Sequence, residues 1–305
     1  MLKNMRKAYG QALLDLGHSN NKVVALEADL GKSTMSNMFG DAFPERYFQM
    51  GIAEADMISA AAGLALTGHV AFASTFAVFA SGRPYDQIRS SVCIPRLNVN
   101  ICGSSCGLSD FGDGKTHQSV DDIAIMRVLP NMTVLSPADA NETYQMVKKM
   151  AEIPGPCYIR VNRNDVPNIT GEDDFEFGKV RRMRDGKDAV IFATGYMVYQ
   201  ALEAEGISAR VVNVHTIKPF DAEGVCAEAA GMKGAVTVEE ASVIGGLGSA
   251  VCEALCAGKA ESRVPVARLG MQDTFGTSAK QYEELLEFYH LTPADIVASV
   301  KEVIT

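Results

Sequence analysis

The chain has 305 residues, with 28 Lys and Arg against 37 Asp and Glu, a formal net charge of −9. That balance argues against a general nucleic-acid binder, which needs a basic face to neutralise phosphates. The 47% hydrophobic and 21% charged residues exclude a disordered chain, and at about 150 residues per domain the length predicts two domains.

Strand-like and helix-like segments alternate along the chain. KVVALEADL (22–30) is an apolar run closed by Gly31, as expected of a buried parallel strand. A helix over 53–68 ends at Gly68, and a strand follows over 69–75. Next come a helix over 83–94, a strand over 97–103 and a helix over 119–129. Ser119, with Asp122 three residues on, is close to a capping box for that helix. A strand over 132–137 leads to a helix over 138–150 opened by Pro137 and Asp139, then to a strand over 157–161. Residues 162–186 are polar and turn-rich and read as a linker with an edge hairpin. Beyond them, strands at 188–195, 209–216, 234–240 and 264–271 alternate with helices near 196–204, 222–230, 247–257, 279–289 and 293–304. The pattern predicts an α/β protein of two doubly wound domains with parallel sheets: residues 1–165, a linker at 166–186, and a smaller domain at 187–305. Active groups in such sheets sit at the carboxyl ends of strands.

The longest apolar stretches, such as 60–66, fall far short of the roughly 20 residues of a spanning helix. No apolar segment follows the charges of MLKNMRKAYG, so no secretory signal is expected. Seven scattered cysteines without a CxxC pair argue against a disulfide scaffold and a structural zinc site. The expected setting is the reducing cytoplasm, with no membrane partner.

Several residues carry chemistry. Asp29 and Ser33 flank a polar loop at the end of the first strand. Glu54 opens an apolar, Ala-rich helix; an acid there offsets the helix dipole, but the apolar helix behind it points to burial and to a specific donor. Phe72, Phe76 and Phe79 serve equally as core or as a stacking surface for a ring. The Gly-, Ser- and Asp-rich loop 102–118 contains Asp113 and ends in Thr116-His117-Gln118, which makes His117 a candidate acid, base or charge stabiliser. Cys102 and Cys106 read as small buried hydrophobes, and His18, His69, His215 and His290 as structural. Arg6, Arg160 and Arg163 could clamp an anionic substrate or form ion pairs with neighbouring acids. GGLGS (245–249) fails the spacing of a dinucleotide site and reads as a tight turn for close helix packing.

Taken together, ADLGKST, GIAEADM, STFAVF, GDGKTHQ and TVEEASVIGGLGSAV, in that order, resemble the transketolase family of thiamine-diphosphate enzymes. The chain resembles that family's pyrimidine-binding domain followed by its carboxyl-terminal domain. The resemblance implies that Glu54 hydrogen-bonds the cofactor's aminopyrimidine, favouring the imino tautomer and loss of the thiazolium C2 proton. It further implies that Phe79, with Phe76, stacks on that ring, and that Asp29 lies near the thiazolium. His117 is implied near the donor sugar's hydroxyls, with Asp113 on a substrate hydroxyl. Arg6, Ser33 and Arg163 match positions that hold a sugar phosphate. The chain departs from the family pattern in Ser104-Ser105-Cys106-Gly107-Leu108, where a His usually precedes the Gly-Leu, at Ala241, where a His is common, and at Gly82, where a Tyr is common.

The family's Mg²⁺–diphosphate motif, GDG with a downstream Asn, belongs to a separate amino-terminal domain. Gly112-Asp113-Gly114 lies in the substrate loop, and Asn141 falls in a predicted helix, so their match to that motif is coincidental. The expectation is therefore a β subunit of a split transketolase that moves a two-carbon ketol unit between sugars. An amino-terminal subunit would supply Mg²⁺ and diphosphate binding in an α2β2 assembly built on a homodimer of this chain. The alternatives are a subunit like 1-deoxyxylulose-5-phosphate synthase or the β chain of a 2-oxoacid dehydrogenase, or a non-catalytic partner with the same fold.

Overall fold

The computed structural model describes residues 2–171 and 175–305. In chain order its strands are β1 (Leu2–Asn4), β2 (Val23–Glu27), β3 (Tyr47–Gln49), β4 (Val70–Phe76), β5 (Val99–Ser104), β6 (Thr133–Leu135), β7 (Cys157–Val161) and β8 (Asp165–Pro167). They continue with β9 (Arg181–Arg184), β10 (Ala189–Ala193), β11 (Ala209–Asn213), β12 (Thr216–Lys218), β13 (Gly234–Ser242) and β14 (Val266–Met271). The largest sheet runs β12-β6-β7-β5-β4-β2-β3 and the second β14-β13-β10-β11-β9. Strands β2, β5 and β7 are buried along their whole length, the mark of a parallel sheet covered on both faces.

Three features depart from the expected pair of purely parallel domains. β12, from the second half of the chain, closes the first sheet as an antiparallel edge beside β6. β9 lies antiparallel to β11 at the edge of the second sheet. The stretch read as an edge hairpin instead sends β8 back to pair with β1 at the chain's start, and β9 to the second sheet. Of the expected linker, Glu172, Asp173 and Asp174 lie outside the described residues.

The halves are joined by packing as well as by pairing. One apolar cluster runs from Leu26, Met57 and Ile101 of the first half through Tyr158 to Phe192, Val212 and Val251 of the second. The helix Glu54–Leu66 packs Met57, Ile58, Ala61 and Ala62 inward at helical spacing. The helix Ala140–Met150 is capped by Asp139, whose side chain accepts from the Glu142 amide. The expected Ser119 cap does not form. The helix Asp122–Val128 starts after Asp121, which makes no side-chain cap bond, and the Asp122 carboxylate accepts from Tyr158 Oη and Arg160 Nε instead. The carboxyl ends of β2, β4, β5 and β7 fall at Glu27, Phe76, Ser104 and Val161, each followed by a segment carrying candidate residues.

Candidate active site

Glu54 is the first residue of its helix and only 4% exposed. Its buried carboxylate accepts from Arg83 Nη1 at 2.7 Å, the specific donor that its burial demands. Phe76 ends β4, and Phe79 lies in the following helix, Ala77–Gly82. Their rings are stacked, 6.2 Å apart between centroids and 14° from parallel. His117 meets Phe79 edge-on at 5.4 Å and Phe76 at 6.4 Å. The Arg83 guanidinium lies 4.1 Å from the centroid of the Phe79 ring. Residues from three separate stretches thus converge on one aromatic floor, while Phe72 is core.

A second group gathers around two arginines. Arg6 Nη1 donates to the Ser33 carbonyl at 2.9 Å. Arg163 Nη1 donates to Asp110 Oδ1 at 2.6 Å and lies 3.8 Å from Asp113 Oδ2. Burial and the nearby Arg163 both lower the Arg6 pKa, so an anion placed between the two guanidinium groups would relieve their repulsion. Burial pushes the Asp110 carboxyl upward against the pull of Arg163. Asp113 and His117 flank the short 3-10 turn Gly114–Thr116, which ties this group to the aromatic floor. Asp29 and Ser33 line one cavity of about 310 Å³ with Lys32 and Gln49. Asp29 takes a left-handed backbone (φ 61°), which Asp tolerates, and its amide donates to Gln49 Oε1.

Arg160 is the exception among the candidates. It is 3% exposed, donates to Asp122 Oδ2 at 2.7 Å and to the Glu240 carbonyl at 3.1 Å, and so faces the interior. As a substrate clamp it is corrected: a buried guanidinium needs a buried counter-ion, and Asp122 supplies it.

Two further residues belong to the site without being evident in the sequence reading. Arg83 stands four residues after Phe79, the helical spacing that lays a cation on a ring, and that spacing is the available signal. Glu27 is a charge inside an apolar strand. Its carboxylate accepts from the Ala28 and Leu30 amides and from the Thr34 and Ser36 hydroxyls, which shapes the Asp29–Ser33 turn.

The loop 106–120 is clasped by the second half of the chain. Glu240, near the end of β13, accepts from the Leu108 amide at 2.6 Å and from Tyr282 Oη at 2.6 Å. Gly107 has φ 60°, and a Cβ there would strike the Glu240 carboxyl group. Gln118 Nε2 donates to the Thr277 carbonyl, and the Ala279 amide to the Phe111 carbonyl. Burial raises Glu240 to about 7 despite the Tyr282 hydrogen bond and the Arg160 charge. GGLGS is the close-packed turn expected of it: Glu239 accepts from the Leu247 and Gly248 amides, and a Cβ on Gly246 would collide with its carboxylate. Cys102 and Cys106 are buried and free, and burial raises the Cys106 thiol to about 12.

The site fits a flat, nitrogen-bearing ring together with an anionic sugar. Phe79 and Glu54 already hold one planar N–H donor, the Arg83 guanidinium. The buried hydroxyls of Thr75, Ser104 and Ser105, and Arg6 Nε, have no protein partner; the three hydroxyls lie at or just beyond the carboxyl ends of β4 and β5. Among the described residues, no group of three His, Cys, Asp or Glu side chains is arranged to hold a metal ion. Nor is any helix among them long and apolar enough to cross a membrane.

Comparison with known proteins gives concordant results. The family model "Transketolase, pyrimidine binding domain" matches residues 2–168, and "Transketolase, C-terminal domain" matches residues 178–296. The 6-deoxy-6-sulfo-D-fructose transketolase subunit SqwH of Clostridium sp. (strain MSTE9) is 41% identical over 98% of this chain and 94% of its own. An apulose-4-phosphate transketolase subunit of Phocaeicola vulgatus is 37% identical over 90% of each chain. A solved structure described as a split gene transketolase, inactive beta4 tetramer, is 47% identical, covers 99% of this chain and 98% of its own, and superposes with a TM-score of 0.88. The chain therefore belongs to the transketolase family and carries its pyrimidine-binding and carboxyl-terminal domains.

Proposed function

We propose that this chain is the β subunit of a thiamine-diphosphate-dependent transketolase that transfers a two-carbon ketol unit from a ketose, in phosphate form, to an aldose. The observation that carries the reading is the convergence of Glu54, Phe76, Phe79 and His117 on one floor, with the buried Glu54 carboxylate accepting from an N–H donor, Arg83, that lies against the Phe79 ring. Thiamine diphosphate, when bound, supplies the carbon that carries the ketol unit. Phe79 and Phe76 would hold the aminopyrimidine by stacking, and Glu54, from its water-poor position, would fix the ring's proton arrangement. Asp29, at the turn after β2, would lie toward the thiazolium. His117 steadies a hydroxyl of the donor sugar, Asp113 orients another, and Arg6, Ser33 and Arg163 take the phosphate through charge-assisted hydrogen bonds. The relatives' printed substrates, a sulfosugar and a sugar phosphate, both carry the anion that such a pair of arginines would favour.

In this reading Mg²⁺ and the diphosphate are held by an amino-terminal subunit with the GDG…N motif, in a cytoplasmic α2β2 assembly. The test is to purify the tagged chain from its own cells, identify what comes with it by mass, and assay the mixture with Mg²⁺ and thiamine diphosphate. The expected result is a stoichiometric partner and ketol transfer only in the mixture. Full activity of the chain alone would overturn the split assignment, and product formation only with pyruvate as donor would overturn the transketolase assignment.

A further inference from the structure

Arg83 satisfies at once the two demands that the pocket would make of an aminopyrimidine. Its guanidinium is planar and lies over Phe79 at 4.1 Å, within stacking range. Its Nη1–H donates to Glu54 at 2.7 Å, as an amino or ring N–H would. The contact is local, built by residues four apart beside a helix end, and the Arg83 side chain is 49% exposed. It can therefore swing into water without disturbing the core, whereas Glu54, Phe76 and the helix behind them are fixed by burial.

We infer that Arg83 is a specificity-determining residue of the pyrimidine pocket: it occupies the ring's place in the isolated chain and must leave for the ring to enter. The inference rests on the assignment of Glu54 and Phe79 to that ring. Two consequences follow from the geometry. While Arg83 is docked, the buried Glu54 carboxylate keeps a counter-charge, so the empty pocket does not hold an unpaired acid. The apparent affinity of the pocket for any ring is lowered by the fraction of molecules with Arg83 docked. A weak ring, held by stacking and one hydrogen bond alone, competes poorly. A ring anchored elsewhere by its diphosphate competes well. The pocket is thereby biased toward the whole cofactor presented by an assembled complex.

The test uses the full chain without any partner and a neutral probe, 4-amino-5-hydroxymethyl-2-methylpyrimidine, titrated at pH 8 and followed by ligand-observed NMR and calorimetry. Neutrality of the probe removes any simple charge effect of the substitution. Arg83→Ala is expected to bind the probe about fivefold more tightly than wild type, as removal of a half-exposed ion pair and a cation–ring contact implies. Arg83→Lys, which can pair with Glu54 but offers no flat face, is expected between them. Glu54→Gln and Phe79→Ala in the Arg83→Ala background are expected to lose that binding. Equal or weaker binding by Arg83→Ala, with binding still dependent on Glu54 and Phe79, overturns the role of Arg83 and leaves the pocket assignment standing. Binding indifferent to Glu54 and Phe79 overturns the pocket assignment itself. Failure of Arg83→Ala to bind at millimolar probe overturns the inference, since the freed pocket is then no receptor for the ring.

Discussion

The aromatic floor and the loop 106–120 are built by opposite means. The floor is mostly local: Glu54 opens one helix, Phe76 and Phe79 straddle the next strand–helix junction and Arg83 follows four residues later, while His117 of the loop meets its edge. The loop 106–120 has little regular structure of its own and is held by groups more than a hundred residues away, namely Glu240, Thr277, Ala279 and Tyr282. Local segments place an aromatic surface with few long-range commitments. A Gly- and Ser-rich loop acquires a fixed shape only when another part of the chain satisfies its backbone, because an unpaired buried amide costs about 1–3 kcal/mol. The carboxyl-terminal half thus sets the shape of the loop 106–120, while Glu54, Phe76, Phe79 and Arg83 of the floor come from the amino-terminal half.

The sharpest way to break this contrast is at its buried polar seam. Arg160→Ala leaves Asp122 buried without its counter-ion and is expected to cost about 3–5 kcal/mol, read as a large fall in midpoint on chemical unfolding. A variant of wild-type stability with only a raised KM would return Arg160 to the substrate. Glu240→Ala removes the acceptor of the Leu108 amide and of Tyr282 Oη and is expected to cost about 2 kcal/mol. Amide exchange should then accelerate at least tenfold over 106–118 and hardly at all in β4. Uniform acceleration in both would erase the distinction between loop and floor.

A pH series sharpens the same seam. Burial raises Glu142 to about 8, against an ordinary value of 4.5, while the Ala138 amide and Asn213 lower it only in part. Both folded and unfolded chains are protonated at this site below 4.5. As pH rises toward 8 the unfolded chain ionises freely and the folded one resists, so stability from this group is lost over that window. His215 acts the other way: burial lowers it to about 4, and stability is lost as pH falls from 6.5 toward 4. Glu142→Gln should therefore gain on wild type as pH climbs from 4.5 to 8, by about 1 kcal/mol per unit, in a series of thermal unfolding curves. A constant difference across that range would refute the raised value. The smallest effect on stability is expected at Asp113, whose carboxylate is exposed and 3.8 Å from Arg163. Asp113→Asn should unfold within about 0.5 kcal/mol of wild type, yet raise KM for the sugar severalfold at unchanged kcat.

What is legible in the sequence follows the same division. Period and capping signals locate the buried strands and helices such as Glu54–Leu66 and Ala140–Met150, because apolar spacing and residues such as Asp139 act locally. The antiparallel edges β9 and β12 are not legible, since short polar strands at a sheet edge carry no periodic signal and are defined by partners far along the chain. At the site, Glu54, Phe76, Phe79 and His117 stand in ordered motifs and are found together in space. Arg160 is misread from sequence because a strand-end arginine looks the same whether it turns toward solvent or toward a buried Asp122. Glu240 escapes sequence reading because nothing in its own neighbourhood reveals that its oxygens serve Leu108 and Tyr282.

The most direct test of the central claim is ketol transfer by the chain assembled with its amino-terminal counterpart, Mg²⁺ and thiamine diphosphate, with wild type and Glu54→Gln compared side by side. Glu54→Gln keeps the shape of the side chain and removes its charge. A fall in kcat of roughly 10²–10⁴-fold is expected for the variant, with assembly unchanged. Transfer at the wild-type rate would contradict it.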